Sequence, residues 1–389
     1  MNTLIEPNVV VTGRGRNGNG NGTAQAIFPK RATSERDFGS HAAGEVGIQW
    51  SWACRRVESD ACVELEELPA AAPVPGDLAL VRVETMGFHK HLTTSENRRL
   101  RLYPGVQFIG VFGNRYASDA FEAEVEGTDS VSQLTGAGMI GTVKSKYGNI
   151  SDGTHLSVLG FVRGADGKRL NLKNKLFHPV TTRVVPPNLI YIVGTSMNSG
   201  KTTTGARLIR GLSDLGLKVA ACKLTGSVSN HDPDEMAAAA ARKVTDFSDF
   251  GFASTYLCTK EELLDLFHAM MADVVPESPD VVVMEFADGV LQRETTMLLN
   301  DPVIKAAGRG VVFAAGGSLS ALYGVNHLRQ LGYHVIAVSG RFTSSPLAIR
   351  EYIAHDSNIP VVSSLDEREA TTNTGADLAA RVSSFLRNE

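Results

Sequence analysis

Two patterns of apolar residues divide the chain. Between 46 and 185 the apolar runs are short, alternate with polar residues or are β-branched, and are separated by Gly or Pro. VGIQWSW, ACVELEEL, DLALVRVET, VQFIGVFGN, FEAEVEG, MIGTVKSK and HLSVLGFV are the examples. That pattern predicts about six short antiparallel strands, a small barrel or sandwich. The Asp-Gly of ADGKR (165–169) marks a hairpin turn. Beyond the Pro pair of VVPPN (184–188) the runs become nearly continuous and alternate with helical patterns. Strands are expected at 189–194, 218–223, 280–286, 310–315, 334–340 and 359–364. Helices are expected at 200–215, 233–243, 260–274, 318–331, 345–356 and 374–387. Strands that are apolar throughout and separated by helices form a parallel sheet covered on both faces. The fold class is therefore α/β, a C-terminal parallel sheet with helices on both faces preceded by a small antiparallel β barrel or sandwich. The expected divisions are a Gly/Asn-rich arm over 1–45, a β-rich domain over 46–185 and an α/β domain over 186–389.

Composition narrows this reading. The 389 residues are 43% hydrophobic and 21% charged, and 38 basic against 42 acidic side chains leave a net charge of −4. That balance argues against a general nucleic-acid binder. No apolar run is long enough to span a membrane, and no secretory signal is visible at the N-terminus. Cys54, Cys62, Cys222 and Cys258 lack CxxC spacing, so a zinc site or disulfide framework is not expected and a cytoplasmic location is. The GRGRNGNGNG tract at 13–22 is too polar to bury a core.

YIVGTSMNSGKTTTGARLIRGL (191–212) carries the clearest chemistry. A buried strand runs into a Gly-bounded loop, and a helix opens at Lys201. Backbone N–H groups of such a loop, with the positive end of the helix behind them, bind phosphate oxygens. Gly194, Thr195, Met197, Asn198, Ser199 and Gly200 form the candidate loop. Lys201, Thr202 and Thr203 open the helix. Lys201 would reach the β- and γ-phosphates and the Thr202 hydroxyl would ligate Mg²⁺. Gly194 and Gly200 enclose five residues, one more than the Walker A pattern.

That variant, with KTTT behind it, resembles the dethiobiotin synthetase and cobyrinic acid amidase-type branch of P-loop proteins. The branch also holds a GTP-binding accessory protein of molybdopterin-guanine dinucleotide synthesis. The resemblance covers about residues 187–365. It implies ATP and Mg²⁺ as cofactors, γ-phosphoryl transfer to a small carboxylate-type acceptor as in a ligase or kinase, and a homodimer. It also leaves open a nucleotide-gated switch acting on a protein partner. It implies a substrate- and phosphoryl-binding lysine at the end of the second strand, where KVAACKLTGS places Lys223; a surface lysine capping the strand is the alternative. It further implies Mg²⁺ carboxylates in a loop and at the end of a later strand. SNHDPDE (229–235) offers Asp232 and Asp234, either of which could instead cap the helix, with Pro233 at its first position. DVVVMEFADG (280–289) offers Glu285, an acid that burial would penalise without a cation. Asp288 is an acid outside the family pattern that could serve as a base, bind an amine or touch the metal.

Other polar clusters have simpler readings. Thr259 and Glu262 form a capping box. Thr343, Ser344 and Ser345 mark a helix start, with Arg350 one turn in as a possible anion contact. His89 and His91 share a strand face, but two histidines without a third ligand are weak evidence for metal. Arg115 and Tyr116 follow an apolar strand and could form a lip over the nucleotide site.

Overall fold

The computed structural model describes residues 24–26, 48–57, 63–66, 72–164, 166–181, 183–184, 186, 188–363 and 374–388. Most of the expected arm over 1–45 lies outside the described residues, as do Cys62 and part of the Pro-rich boundary at 184–188. The chain divides into two compact units. The first comprises 1–115, 120–177 and 251–253, and the second 116–119, 178–250 and 254–389. The boundary after Phe177 precedes the Pro pair, and two short segments are exchanged between the units.

The first unit contains β1 (Ala24–Ala26), β2 (Gln49–Trp50), β3 (Val63–Glu66), β4 (Leu78–Thr85), β5 (His91–Thr93), β6 (Arg99–Arg101), β7 (Gln107–Phe112), β8 (Phe121–Glu124), β9 (Val131–Gln133), β10 (Met139–Lys146) and β11 (Thr154–Arg163). A short helix, α1 (Leu172–Leu176), ends it. The strands exceed the expected six, and the sheet is mixed. β7 pairs in parallel with both β10 and β2. β9 pairs with both β10 and β11, so the path β11–β4–β7–β10–β9 closes on itself. Its interior is filled by alternating residues such as Val81, Val83, Phe108, Phe112, Leu156 and Phe161, the period-two burial of a strand with one face inward. At the Asp166-Gly167 turn, Gly164 N–H donates to Lys168 O at 2.9 Å.

The second unit is a six-stranded, wholly parallel sheet. Its strands are β12 (Leu189–Gly194), β13 (Val219–Lys223), β14 (Lys243–Asp246), β15 (Val281–Glu285), β16 (Gly310–Ala314) and β17 (Val335–Ser339), in the order β14-β13-β15-β12-β16-β17. The helices are α2 (Lys201–Asp214), α3 (His231–Ala238), α4 (Lys260–Val274), α5 (Arg293–Leu299), α6 (Pro302–Ala307), α7 (Ser318–Gln330), α8 (Pro346–His355) and α9 (Thr374–Asn388). Ile190, Ile192, Val281 and Val283 face Leu208 and Leu212 of α2 and Leu378 and Val382 of α9. On the other face the buried Tyr191 hydroxyl donates to Ile304 O of α6 at 2.7 Å. α2 and α9 pack closely because both carry glycine at the crossing: a Cβ on Gly211 would lie 2.3 Å from Gly375 O.

Three expectations need correction. The helix over 233–243 ends at Ala238, and the chain then forms β14, whose KVTD sequence is too polar to announce a strand. The strand expected at 359–364 reduces to a single bridge, Val361 with Val338, with Ser364 outside the described residues. α3 opens at His231 with Asn230 before it, so neither Asp232 nor Asp234 is the cap.

Candidate functional site

The chain leaves β12 and goes outward to β13 and β14, returns to β15, then crosses β12 to reach β16 and β17. The order therefore reverses around β12, and in open α/β sheets the ligand crevice opens at the carboxyl ends of strands at such a point. Gly194 ends β12, Lys223 ends β13 and Glu285 ends β15. The strand register pairs Lys223 with Glu285 and Glu285 with Ile192. Three chemically loaded positions thus share one edge because three strands stop in step.

The loop between Gly194 and Lys201 is held from several sides. Thr195 N–H donates to Ala314 O at 3.0 Å, Val290 N–H to Gly194 O at 3.0 Å and Arg341 N–H to Ser199 O at 2.8 Å. Asn198 has φ 57° and Gly200 φ 95°. The left-handed region suits glycine and tolerates Asn. Close approach also demands glycine at Gly289, where a Cβ would lie 2.2 Å from Thr195 O. Lys201 is 6% exposed and its Nζ donates back across the loop to Ser196 O at 2.8 Å. Burial pushes its ammonium below the ordinary lysine value; Glu285 and Asp288 pull it back up and Lys223 adds to the fall. Met197 is half-buried at the loop tip and its carbonyl accepts from Ser196 Oγ at 3.0 Å. Thr203 is half-buried on the first turn of α2.

Thr202 Oγ1 lies 3.2 Å from Asp232 Oδ1 and 3.3 Å from Glu285 Oε1. The second oxygen of Asp232 pairs with Lys223 Nζ. The second oxygen of Glu285 is buried with no hydrogen-bond partner among the described residues. An anionic oxygen in that position is costly unless a cation meets it. One hydroxyl flanked by two carboxylates is also the hard-oxygen set that Mg²⁺ takes beside phosphates. The residues therefore fit Mg²⁺. The structure brings Asp232 and not Asp234 to Thr202: Asp234 is exposed and accepts from Asn230 Nδ2 at 3.1 Å. Lys223 is buried within the cluster rather than capping a surface strand end.

Asp288, with φ 59°, turns the chain between β15 and α5. It lines a recess with room for about one water molecule, with Tyr116, Thr225, Ser227, Tyr256 and Gln292 among its other walls. Tyr116 and Tyr256 hold their ring centroids 5.6 Å apart. Of the expected Arg115–Tyr116 lip only Tyr116 lines this recess. Arg115 belongs to the first unit, where its Nη1 lies 3.0 Å from His89 Nε2. Asp119 accepts from Asn198 Nδ2 at 2.6 Å. Nothing in the sequence pointed to Asp119, Tyr256 or Gln292, which lie on loops with no motif.

The other candidates resolve structurally. Ser345 caps α8, with its Oγ accepting from Ala348 N–H at 3.3 Å, and Thr343 Oγ1 donates to Gly340 O at 2.7 Å. Thr259 and Glu262 form the capping box of α4. Among the described residues no group of three or more His, Cys, Asp or Glu is placed to hold a metal by itself. No helix among the described residues is long and apolar enough to cross a membrane.

No family model and no curated protein matches the sequence. Among solved structures the chain is similar to the signal recognition particle receptor FtsY from Elizabethkingia anophelis in complex with GDP, at 18% identity over 56% of this chain and 70% of that one, with a TM-score of 0.35. It is also similar to the cell division ATPase MinD of Pyrococcus furiosus, at 15% identity over 52% of this chain and 99% of that one, TM-score 0.33. FtsY from Thermotoga maritima overlaps at 17% identity over 57% and 79%, TM-score 0.33. These overlaps are too loose to bear on function. None of the three is a dethiobiotin synthetase or a cobyrinic acid amidase, the enzymes that the motif resembles.

Proposed function

We propose that the second unit binds a nucleoside triphosphate with Mg²⁺ on the Gly194–Thr203 loop and cleaves its γ-phosphoryl bond. The observation that carries this reading is Thr202 Oγ1 flanked by Asp232 and Glu285 directly behind a Gly-bounded strand–loop–helix turn. When bound, Mg²⁺ would neutralise phosphate charge and align the phosphates; Thr202, Glu285 and Asp232 are the residues that would hold it. The chain's own work is positioning and charge compensation. Loop N–H groups and the start of α2 would receive the phosphate oxygens. Lys201 would exchange Ser196 O for a phosphate oxygen, and its burial makes that charge count for more than it would in water. Lys223 would stand at the same edge, where charge develops on the departing phosphoryl group. Fluorescence titration with a methylanthraniloyl-labelled nucleotide, in Mg²⁺ and in EDTA, tests the reading. Micromolar binding that Mg²⁺ strengthens and that Lys201→Ala abolishes is expected. Binding that is indifferent to both removes the assignment.

A second reading is a nucleotide-gated switch for a protein partner. Its support is a set of exposed apolar side chains on the two helices that start beside the loop. Leu319 and Tyr323 of α7 are 80% and 55% exposed, and Leu347 of α8 is 64% exposed. α7 follows Gly316, whose N–H donates to Thr195 Oγ1 at 3.1 Å. α8 follows Arg341, which is bonded to Ser199. Nucleotide hydrolysis stimulated by a protein and abolished by Leu319→Asp would favour the switch. Hydrolysis stimulated by a small molecule would favour transfer to an acceptor.

A further inference from the structure

We propose that the outward face of the β5–β6 hairpin binds single-stranded nucleic acid, a function separate from the phosphate loop and independent of it. The alternation along β6 comes first. Arg99, Arg101 and Tyr103 are exposed, whereas Leu100 between them is half-buried and Leu102 buried. The register sets His91 opposite Arg101 and Thr93 opposite Arg99, and directly opposed residues of two strands share a face. Two contacts fix that face. Arg99 Nη2 donates to His91 Nδ1 at 3.1 Å, and the Arg101 guanidinium lies 5.7 Å from the Tyr103 ring centre. Tyr103 itself is 58% exposed. The hairpin therefore presents two guanidinium groups and an aromatic ring side by side, with the exposed Lys90 next to His91.

The charge on this face is uncompensated. Arg82, Lys144 and Lys146 of the same unit, and Arg98 in the hairpin turn, each hold a carboxylate at 2.5–2.8 Å. Lys90, Arg99 and Arg101 hold none among the described residues. His91 registers the same field: desolvation, then Arg99, Arg101 and Lys90, push its imidazole below the ordinary value, and no acid acts against them. A local surplus of cations attracts an anionic partner. Each guanidinium fork matches two phosphate oxygens at once. The strand repeat sets Arg99 and Arg101 about 6.8 Å apart, within reach of neighbouring phosphates on one strand. The ring beside them selects the class of partner. An exposed aromatic in a row of cations is a surface on which a base stacks. An acidic peptide brings charge without a base to stack, and an anionic membrane calls for more apolar area than one tyrosine offers. The net charge of −4 keeps such binding off most of the surface and confines it to the hairpin.

The test is fluorescence anisotropy of the full chain, without nucleoside triphosphate, against fluorescein-labelled oligo(dT) and oligo(U) of about twelve nucleotides. Micromolar binding at low salt is expected. Its logarithm should fall against the logarithm of salt with a slope of about −2, three phosphate contacts at about −0.7 each. Arg99→Gln combined with Arg101→Gln should weaken binding at least about tenfold and flatten the slope to about −0.7. Arg99→Lys with Arg101→Lys should keep the slope near −2, because the charges remain. Tyr103→Leu should weaken binding about tenfold, the loss of one stacked base, and leave the slope alone. That split between affinity and slope is one that unfolding cannot imitate. Arg82→Gln, at a paired surface arginine outside the hairpin, should change neither. Absence of binding at low salt, or binding that the arginine or tyrosine substitutions leave intact, overturns the proposal. Tighter binding to a duplex of the same length, to phosphatidylserine vesicles or to polyglutamate also overturns it and assigns the face to that partner instead.

Discussion

Both units bury charge, and they bury it differently. In the first unit Asp77 is almost wholly enclosed, and every contact it makes ties the chain together. It accepts from Val74 N–H at 3.0 Å, from Asn171 Nδ2 at 3.0 Å and from Arg169 Nη1 at 3.1 Å. The Arg169 guanidinium lies 3.8 Å from the Phe161 ring centre. The charge is balanced, its lone pairs are used and it joins residues more than ninety positions apart. In the second unit Lys201, Lys223, Asp232 and Glu285 crowd one sheet edge. One lysine donates to a loop carbonyl, and one carboxylate oxygen has no hydrogen-bond partner among the described residues. Charge buried with its partners holds a fold. Charge buried with a partner missing marks a candidate functional site. The two groups should respond in opposite ways to deletion.

The largest expected effect is on stability in the first unit. Asp77→Ala leaves Arg169 without its carboxylate and Asn171 Nδ2 with Pro75 O as its remaining acceptor, and breaking one side of a buried ion pair costs about 3–5 kcal/mol. Urea titration of the full chain measures it. A loss below about 1 kcal/mol would mean that water already serves those donors.

Next comes Lys201→Met. Nucleotide turnover should fall roughly a hundred- to thousand-fold, equivalent to about 2.7–4 kcal/mol of transition-state charge stabilisation. The thermal midpoint should stay level or rise, because a desolvated ammonium is removed and a good helix former put in its place. A variant that is inactive because it unfolds would erase the contrast with Asp77. Glu285→Gln should be milder. Its apparent Mg²⁺ affinity should drop by about ten- to a hundred-fold, the ~1.5–3 kcal/mol of a charged contact, while nucleotide binding in EDTA changes little. An unchanged Mg²⁺ titration would make Glu285 a structural acid like Asp77.

The same contrast explains what the sequence revealed. The Gly194–Lys201 loop, Lys223 and Glu285 were legible because each begins at the end of a strand whose preceding four or five residues are all apolar, and a glycine or charged residue ending such a strand stands out. The order of the strands was not legible. Nothing local says that β15 inserts between β12 and β13, which is what pairs Glu285 with Lys223. The choice of Asp232 over Asp234 depends on α3 starting at His231, and boundaries are the least readable part of a helix. In the first unit the alternation was legible strand by strand. The parallel pairs of β7 and the closure through β9 were not, since register is a property of pairs and not of single runs. Tyr116–Asp119 was least legible of all, a loop within a β-rich stretch that counts with the other unit.

The smallest effect is a pH dependence, and it asks whether the first unit also holds charge-poor burial of the structural kind. His89 lies against Arg115 and the Phe88 and Phe121 rings. Burial, with the Arg115 charge behind it, pushes the imidazole from 6.5 down to about 3. A histidine neutral when folded binds fewer protons than its unfolded counterpart at any pH between those values, so stability rises with pH across that window. Its contribution is fully present above about pH 6.5 and is lost progressively as pH falls. From pH 6.5 to pH 5 the loss is on the order of 1.5 kcal/mol, a range in which ordinary carboxylates are still mostly ionised. The wild-type urea midpoint should therefore fall across that interval. His89→Gln should flatten the fall, because glutamine can still meet Arg115 but does not titrate. An equal slope in the variant would place the acid sensitivity elsewhere and leave His89 protonated in the folded chain.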